Sequence, residues 1–544
     1  MMILKKLKKN KVIILLVILT IIRLLMSINL PTYYFKNMVL DDMLMIELAD
    51  AFSLGNYLGE YSNVTLIKGI IYPLFLSFCN YFKLSYPLIL TILYILSCIY
   101  FGTSLNKVVK NKKIVIILYL VLLFNPISYS MEIFQRLYRN TLSLSEILIF
   151  FGLIIRLVAS NKTKNNIVNY ILLGLITSIM LLTREDSMWA FVTIMILIIY
   201  KIIVNKNKAS LLSLLPIIVI VISLNIVSLI NYHYYDIYTY NEINNSEFSK
   251  AYIKIQEIKD EKKETQYSIT KDTLYKLSDL SPAFGITKMD IALLYYSWAD
   301  DNGEINNGNI IWAIRHLIYS KKQFKDGKSA ELYFKKLSND IEKLFEEGKL
   351  EREKVIPSVL INTPSKNDIL SFPKEYLKTL KYVTTYQGIK TIDKKTIEEK
   401  PNFFYDDRHD NYFVFIKDYH NAENLIKENV KGIEIIKNIY KYITIVLSFV
   451  SIIIFVKNIK LVFKEQKYFV IMLILISYLV ITIGVTYTHV TGFPAIRYFY
   501  LGPVYLLQNI FIILTMEGID YEKIKINYLN ALFKRRKDIK KVSC

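Results

Sequence analysis

The feature that most constrains this chain is a recurring apolar run. Such runs appear near residues 12–30, 66–82, 86–105, 113–129, 142–159, 166–182, 188–204, 210–230, 438–456, 468–487 and 498–515. A helix needs about 20 apolar residues to cross about 30 Å of hydrocarbon, and most of these runs approach that length. Inside lipid the backbone must satisfy its own hydrogen bonds, which leaves helices as the way such runs are accommodated. With 53% hydrophobic residues over 544 positions, the composition excludes a soluble globule. The expected fold class is mainly α: a polytopic membrane helical bundle of about ten spans with interfacial helices, and a mostly helical extracytoplasmic domain.

The formal charge of +21 reads as topology and not as affinity for nucleic acid, because the clustered lysines lie between apolar runs, where cytoplasmic loops collect them. The run at 66–82 decides the count. It is interrupted by Pro73, and its apolar stretch is short. If it does not cross, Lys107 to Lys113, Lys162 and Lys164, Lys201 to Lys208, Lys457 to Lys467 and the KRRK at 534–537 all share the side of the N-terminal KKLKK. If it crosses, those loops face outward against the positive-inside bias. Both termini are therefore expected in the cytoplasm of a multi-pass cell-membrane protein, with 66–82 lying along or dipping into the outer leaflet. The basic N-terminal flank precedes a long apolar stretch with no small-residue cleavage site, so it reads as a retained first span and not as a signal peptide. Cys79 and Cys98 fall in apolar runs and Cys544 ends the sequence, which gives neither a disulfide framework nor a CxxC metal spacing.

Three regions follow: a transmembrane module over 1–231, an extracytoplasmic domain over 232–436, and spans with a basic tail over 437–544. The middle region loses the apolar runs and becomes charged and tyrosine-rich. The stretches at 249–259, 309–319 and 329–350 space apolar residues three and four apart, and Gly348 stands where a helix C-cap is expected.

The same parity places a set of ionisable residues on the external face. Asp41 and Asp42 open the stretch DDMLMIELADAF, in which Met45, Leu48, Ala49 and Phe52 share one helical face. One aspartate capping that helix, with the other solvated, is the plain reading; a proton-accepting carboxylate is the functional one. Arg184, Glu185 and Asp186 close one apolar run, and Arg497 opens the last. These arginines read either as members of an interfacial belt or as a two-point clamp for a phosphate at headgroup depth. Arg136 and Arg139 add external positive charge against the usual bias, which makes them better phosphate candidates than Lys36. Glu146 and Arg23 lie inside apolar runs and need partners or snorkelling.

The N-terminal span, the acidic pair in the first outer loop, the stretch AFSLGNYLGEYSNVTLIKGIIYPLFLSF, then LLTREDSMW and a late AIRYFYLGPVY resemble the GT-C glycosyltransferase superfamily, which includes protein O-mannosyltransferases and lipid A aminoarabinose transferases. The resemblance covers residues 1 to about 230 and 437–516. It implies transfer of a sugar from a polyprenyl phosphate or pyrophosphate donor to an envelope glycan, lipid or protein acceptor, with inversion. It implies Asp42 or Asp41 as the base, and Arg184, Lys68 and Arg497 at the donor phosphate; the residues themselves add Arg136 and Arg139 as phosphate candidates and Glu185 and Glu146 in support. A phosphate leaving group needs positive charge and not a protonating acid, so one carboxylate and a few cations suffice.

The region 232–436 resembles no acceptor-binding module, and a WWDYG-type signature is absent. In FFYDDRHDNYF (403–413) the spacing of Asp406, Asp407, His409 and Asp410 is irregular and reads as a solvated turn, so no metal or other cofactor is expected. His489 reads as a bystander. The rival functions are a transporter or flippase using the same arginines, and a non-catalytic envelope protein. Transporters tend to carry matched broken helices in repeats, and no such pair is visible.

Overall fold

The computed structural model describes residues 2–28, 30–35, 39–160, 166–205, 208–391, 403–404, 419–492 and 500–517. The chain is mainly helical. Seven helical segments among these residues are long and apolar enough to cross a membrane: Tyr86–Leu105, Lys112–Tyr129, Asn140–Ala159, Glu185–Val204, Ser210–Tyr235, Lys427–Lys457 and Gln466–Thr491. Ile167–Thr183 and Gly502–Met516 are apolar but shorter. A lipid bilayer is the solvent these surfaces suit.

In chain order the helices are α1 (Met2–Ile28), α2 (Leu44–Ser53), α3 (Ile71–Tyr81), α4 (Tyr86–Leu105), α5 (Lys112–Leu123), α6 (Asn140–Ala159), α7 (Ile167–Thr183), α8 (Trp189–Asn205) and α9 (Leu215–Tyr235). The run at 66–82 thus yields only the 11 residues of α3, about 16 Å at 1.5 Å per residue, which is too short to cross. Pro73 falls in its first turn, where a proline displaces no intrahelical hydrogen bond. α6 packs between α4 and α7, and α7 packs on α9. Gly174 permits the second contact, since a Cβ there would lie 2.8 Å from the Pro216 carbonyl oxygen.

The middle region contributes α10 (Glu247–Gln256), α11 (Lys271–Leu280), α12 (Lys288–Trp298), α13 (Asn307–Ser320), α14 (Gly327–Glu346) and α15 (Lys366–Thr384). Their starts are written in the sequence: capping boxes join Ser246 with Ser249, Thr287 with Asp290, Asp326 with Ser329 and Ser365 with Asp368. Gly348 takes φ +69° just past α14, the left-handed turn expected of it. A buried ion pair ties this region to the first loop. Arg315 Nη2 donates to Glu242 Oε2 at 2.8 Å, its Nε donates to the Asn63 carbonyl at 2.7 Å, and Tyr61 Oη donates to Glu242 Oε1 at 2.8 Å.

The last described helices are α16 (Tyr419–Lys457), α17 (Gln466–Thr491) and α18 (Gly502–Met516). α15 lies against α17, and also touches α16 and α18. A short antiparallel pair joins β1 (Tyr34–Phe35) to β2 (Phe403–Phe404).

The bundle has two chemically different ends. At one, Glu517 accepts from the Asn111 N–H at 3.1 Å and lies 3.3 Å from Lys467, and Lys201 donates to the Ser160 carbonyl. The loops expected to be lysine-rich meet there. Each adjoining helix ends on the other side, where the acidic pair and its cations gather.

Candidate functional site

Asp41 and Asp42 lie in a wide π-helical turn, Val39–Met43, that leads into α2. A turn of this kind opens the backbone by one residue and re-aims its side chains. Neither aspartate caps α2: the residue at the cap is Met43, with no side-chain hydrogen bond. Met45, Leu48 and Ala49 are buried as the helical spacing requires.

The two carboxylates have opposite situations. Asp42 is fully buried and holds Arg136, itself 2% exposed, through Nε at 2.9 and 3.0 Å and Nη2 at 2.6 Å. The Phe35 N–H adds a bond of 2.9 Å to the same carboxylate. Arg136 is delivered by the segment after Met131–Gln135, which runs beside 33–35: Tyr33 N donates to Gln135 O and Leu137 N to Tyr33 O. Asp42 is thus sealed against any acceptor hydroxyl, whatever its basicity.

Asp41 is 36% exposed. Its Oδ1 accepts from Lys68 Nζ at 2.5 Å and from Tyr138 Oη at 2.8 Å, and among the described residues its Oδ2 accepts no hydrogen bond. Burial pushes the Asp41 carboxyl up, but the adjacent Lys68 charge and the bonds from Lys68 and Tyr138 outweigh it and hold the group well below its ordinary value. Lys68 is raised in turn: burial lowers it, and the Asp41 charge more than compensates. Trp312, from α13, lies over the Lys68 ammonium at 4.9 Å.

Lys68 is placed by its neighbour. A Cβ on Gly69 would fall 2.0 Å from the Leu182 carbonyl oxygen, so only glycine lets the loop touch the end of α7. Asn241 donates to the Ile67 carbonyl at 2.8 Å and Glu242 N to the Leu66 carbonyl, which fixes the same loop from the other side.

Tyr138 is the hub that the sequence did not announce. Its ring is approached by Arg136 at 4.8 Å, Arg139 at 5.6 Å and Lys68 at 5.7 Å, and its hydroxyl accepts from Lys68 at 3.2 Å and Arg139 Nε at 3.3 Å. Arg139 continues to Glu185 Oε2 at 2.6 Å, and Glu185 Oε1 accepts from Asn241 at 3.2 Å. Its one sequence signal is its place between two arginines in QRLYRN.

Arg184 ends α7. It pairs with Asp186 through Nε at 2.8 Å and Nη2 at 2.6 Å, donates Nη1 to Asn140, and lies 4.7 Å from the Tyr500 ring. Tyr500 stands within electrostatic reach of Tyr138, Arg139 and Arg184, which joins the two halves of the network. A small cleft beside Arg184 is lined by Glu146, Asp186, Trp189, Ile481 and Tyr500. Glu146 accepts from Thr183 at 2.7 Å.

Eight of the nine candidates from sequence therefore converge, and Arg497 lies outside the described residues, as do Lys36, Asp406, Asp407, His409 and Asp410. The convergence differs from a bare cationic patch. Lys68, Arg136, Arg139 and Arg184 each meet a carboxylate, so a phosphate would have to share or replace those partners. His489 stands apart, 3.7 Å from Glu375. Arg23 is buried against the Leu123 and Ser128 carbonyls and the Tyr129 ring. Among the described residues, no three His, Cys, Asp or Glu side chains are arranged to hold a metal ion. No protein-family model, curated protein or solved structure matches the chain.

Proposed function

We propose that this chain is an integral-membrane glycosyltransferase that moves a sugar from a polyprenyl-phosphate or pyrophosphate donor to an envelope acceptor, with Asp41 as the base. The observation that carries the reading is the contrast within the acidic pair: Asp42 is sealed by Arg136, whereas Asp41 is part exposed, has one oxygen unengaged among the described residues and sits in a network with Lys68, Tyr138, Arg139 and Arg184.

In this reading the acceptor hydroxyl attacks the anomeric carbon as the bond from that carbon to the phosphate oxygen breaks. The proton passes to Asp41, and the electron pair leaves with the phosphate, stabilised by cations and not by an acid. Lys68 is shared between Asp41 and the incoming phosphate. Drawing it toward the phosphate restores basicity to the carboxylate at the moment a base is needed. A single displacement inverts the anomeric centre. A donor with an isoprenoid tail suits a site at one end of apolar helices, since the tail stays in hydrocarbon while the head reaches water.

The topology proposed with it has about ten spans, formed by α1 and the nine apolar helical segments, with both termini cytoplasmic and α10–α14 on the opposite side. Cysteines introduced at Lys110 and Asp300 are expected to label from opposite faces; labelling of both from outside overturns the orientation. For the reaction, membranes carrying Asp41→Asn or Arg184→Ala are supplied with radiolabelled polyprenyl-phosphate sugars. Loss of transfer in both is expected, and normal transfer by both ends the proposal.

A further inference from the structure

The helix α15 belongs by sequence to the polar middle region, yet its contacts belong to the apolar bundle. At its start, Asn362 donates to the Thr491 carbonyl at the end of α17. Farther along, Tyr376 Oη meets Thr482 Oγ1 at 3.2 Å and Thr486 donates to Thr379 at 2.8 Å, so the helix lies against α17. At its far end Gln508 Nε2 donates both to Thr384 Oγ1, at 3.1 Å, and to Ser448 Oγ, at 3.3 Å.

Those last two partners set the depth. Ser448 lies nine residues before Lys457, the end of α16, and Gln508 eight before Met516, the end of α18. At 1.5 Å per residue both stand about 12 to 14 Å from the lysine end, near the middle of a hydrocarbon layer about 30 Å thick. The chain then returns: Tyr386 Oη accepts from Asn509 at 2.6 Å, Lys390 O accepts from Met131 N, and Thr391 donates to the Tyr129 carbonyl at the site end. Irregular backbone at such depth is tolerated where protein covers it, and Tyr382, Val383, Tyr386 and Ile389 are buried.

The other face of α15 is open. Ile369, Leu370 and Leu377 are 62%, 70% and 66% exposed, and Leu479 and Ile483 of α17 are exposed as well. Lys374 and Lys378 flank the leucines nearer the site end, with stems long enough to cover apolar surface, and Lys378 pairs with Glu375 at 2.6 Å. From this we infer that residues 365–391 form a re-entrant segment, entering and leaving from the site end, and that Leu370 and Leu377 contact acyl chains and not water. The inference rests on the apolar helices being spans, the first part of the proposed function, and is independent of the sugar chemistry.

Site-directed spin labelling tests it in the full chain reconstituted into phosphatidylcholine–phosphatidylglycerol vesicles. Cys79 and Cys98 are buried, so Cys544→Ser gives a usable background. Nitroxides at Leu370→Cys and, as a second site, Leu377→Cys are compared with Phe449→Cys in α16 and Leu332→Cys in α14, both exposed. The expected result is a ratio of oxygen to nickel-chelate accessibility that is several-fold above that of Leu332 and close to that of Phe449. If Phe449 reads as lipid while Leu370 and Leu377 read as Leu332 does, the re-entrant assignment is overturned and the spans stand. If Phe449 itself reads as water-exposed, the spans fail and the inference with them.

Discussion

Asp42 and Arg136, 94 residues apart, share both carboxylate oxygens with no solvent between them. A buried pair of this kind contributes little over an apolar substitute, but removing one member leaves a bare charge in a dry place. Asp42→Asn and Arg136→Met are each expected to cost about 3–5 kcal/mol. The double variant should recover much of that. Thermal unfolding of the detergent-purified protein reads all three; additive losses would show that the two side chains do not depend on one another.

Part of this arrangement could be read from residues alone. Positive-inside bias and run length put the acidic pair, Lys68, Arg136, Arg139 and Arg184 on one side, because loop charge and span length are local properties of a sequence. Pairing is not local. Nothing near Asp42 signals Arg136, and the assignment of one aspartate as a helix cap failed because the wide turn at Val39–Met43 turns both side chains away from the start of α2. Tyr138 and Asn241 carry no signal of pairing for the same reason: each matters through partners tens of residues away. α15 falls with the polar region by sequence because its lysines interrupt the apolar positions.

Lys68 keeps the neighbouring carboxylate acidic, and this has a measurable sign. Asp41 is held below its ordinary value of 3.8 despite burial, so its share of stability is present above that pH and is lost as pH falls through the depressed folded value. Lys68→Gln removes the charge that depresses it. The acid limb of kcat/KM for sugar transfer should then move upward in pH, toward the ordinary carboxylate range, along with a lower maximal rate. Lys68→Arg should keep the limb low. An unmoved limb in Lys68→Gln would separate Asp41 from the rate.

Gly69 tests how closely the loop must approach α7. The added Cβ of Gly69→Ala would lie 2.0 Å from a backbone oxygen and 2.5 Å from a backbone carbon of Leu182, neither of which can rotate aside. Transfer activity is expected to fall by at least about tenfold, in line with the penalty for misplacing a site by about an ångström. Gly484→Ala in α17 is the control: nothing lies within 4 Å of its Cβ position, and alanine is the better helix former, by up to about 1 kcal/mol. Equal behaviour of the two variants would mean that the contact at Leu182 does not position Lys68.

Glu331 in α14 offers a pH test away from both membrane and site. Burial, and then the charges of Glu242 and Glu247, push its carboxyl up from 4.5 to about 7, against a hydrogen bond from the Glu247 N–H. A folded value above the unfolded one means that the protonated form is favoured by folding. That contribution is complete below about pH 4.5 and is lost as pH rises through about 7. Glu331→Gln keeps the shape and stays neutral, so it should be the more stable protein at pH 8 and nearly equal to wild type at pH 4.5. The effect is limited by solvent, since the side chain is only part buried. Denaturation midpoints at the two pH values decide it. A difference that is largest at pH 4.5 would place the strain elsewhere than in the repulsion among Glu331, Glu242 and Glu247.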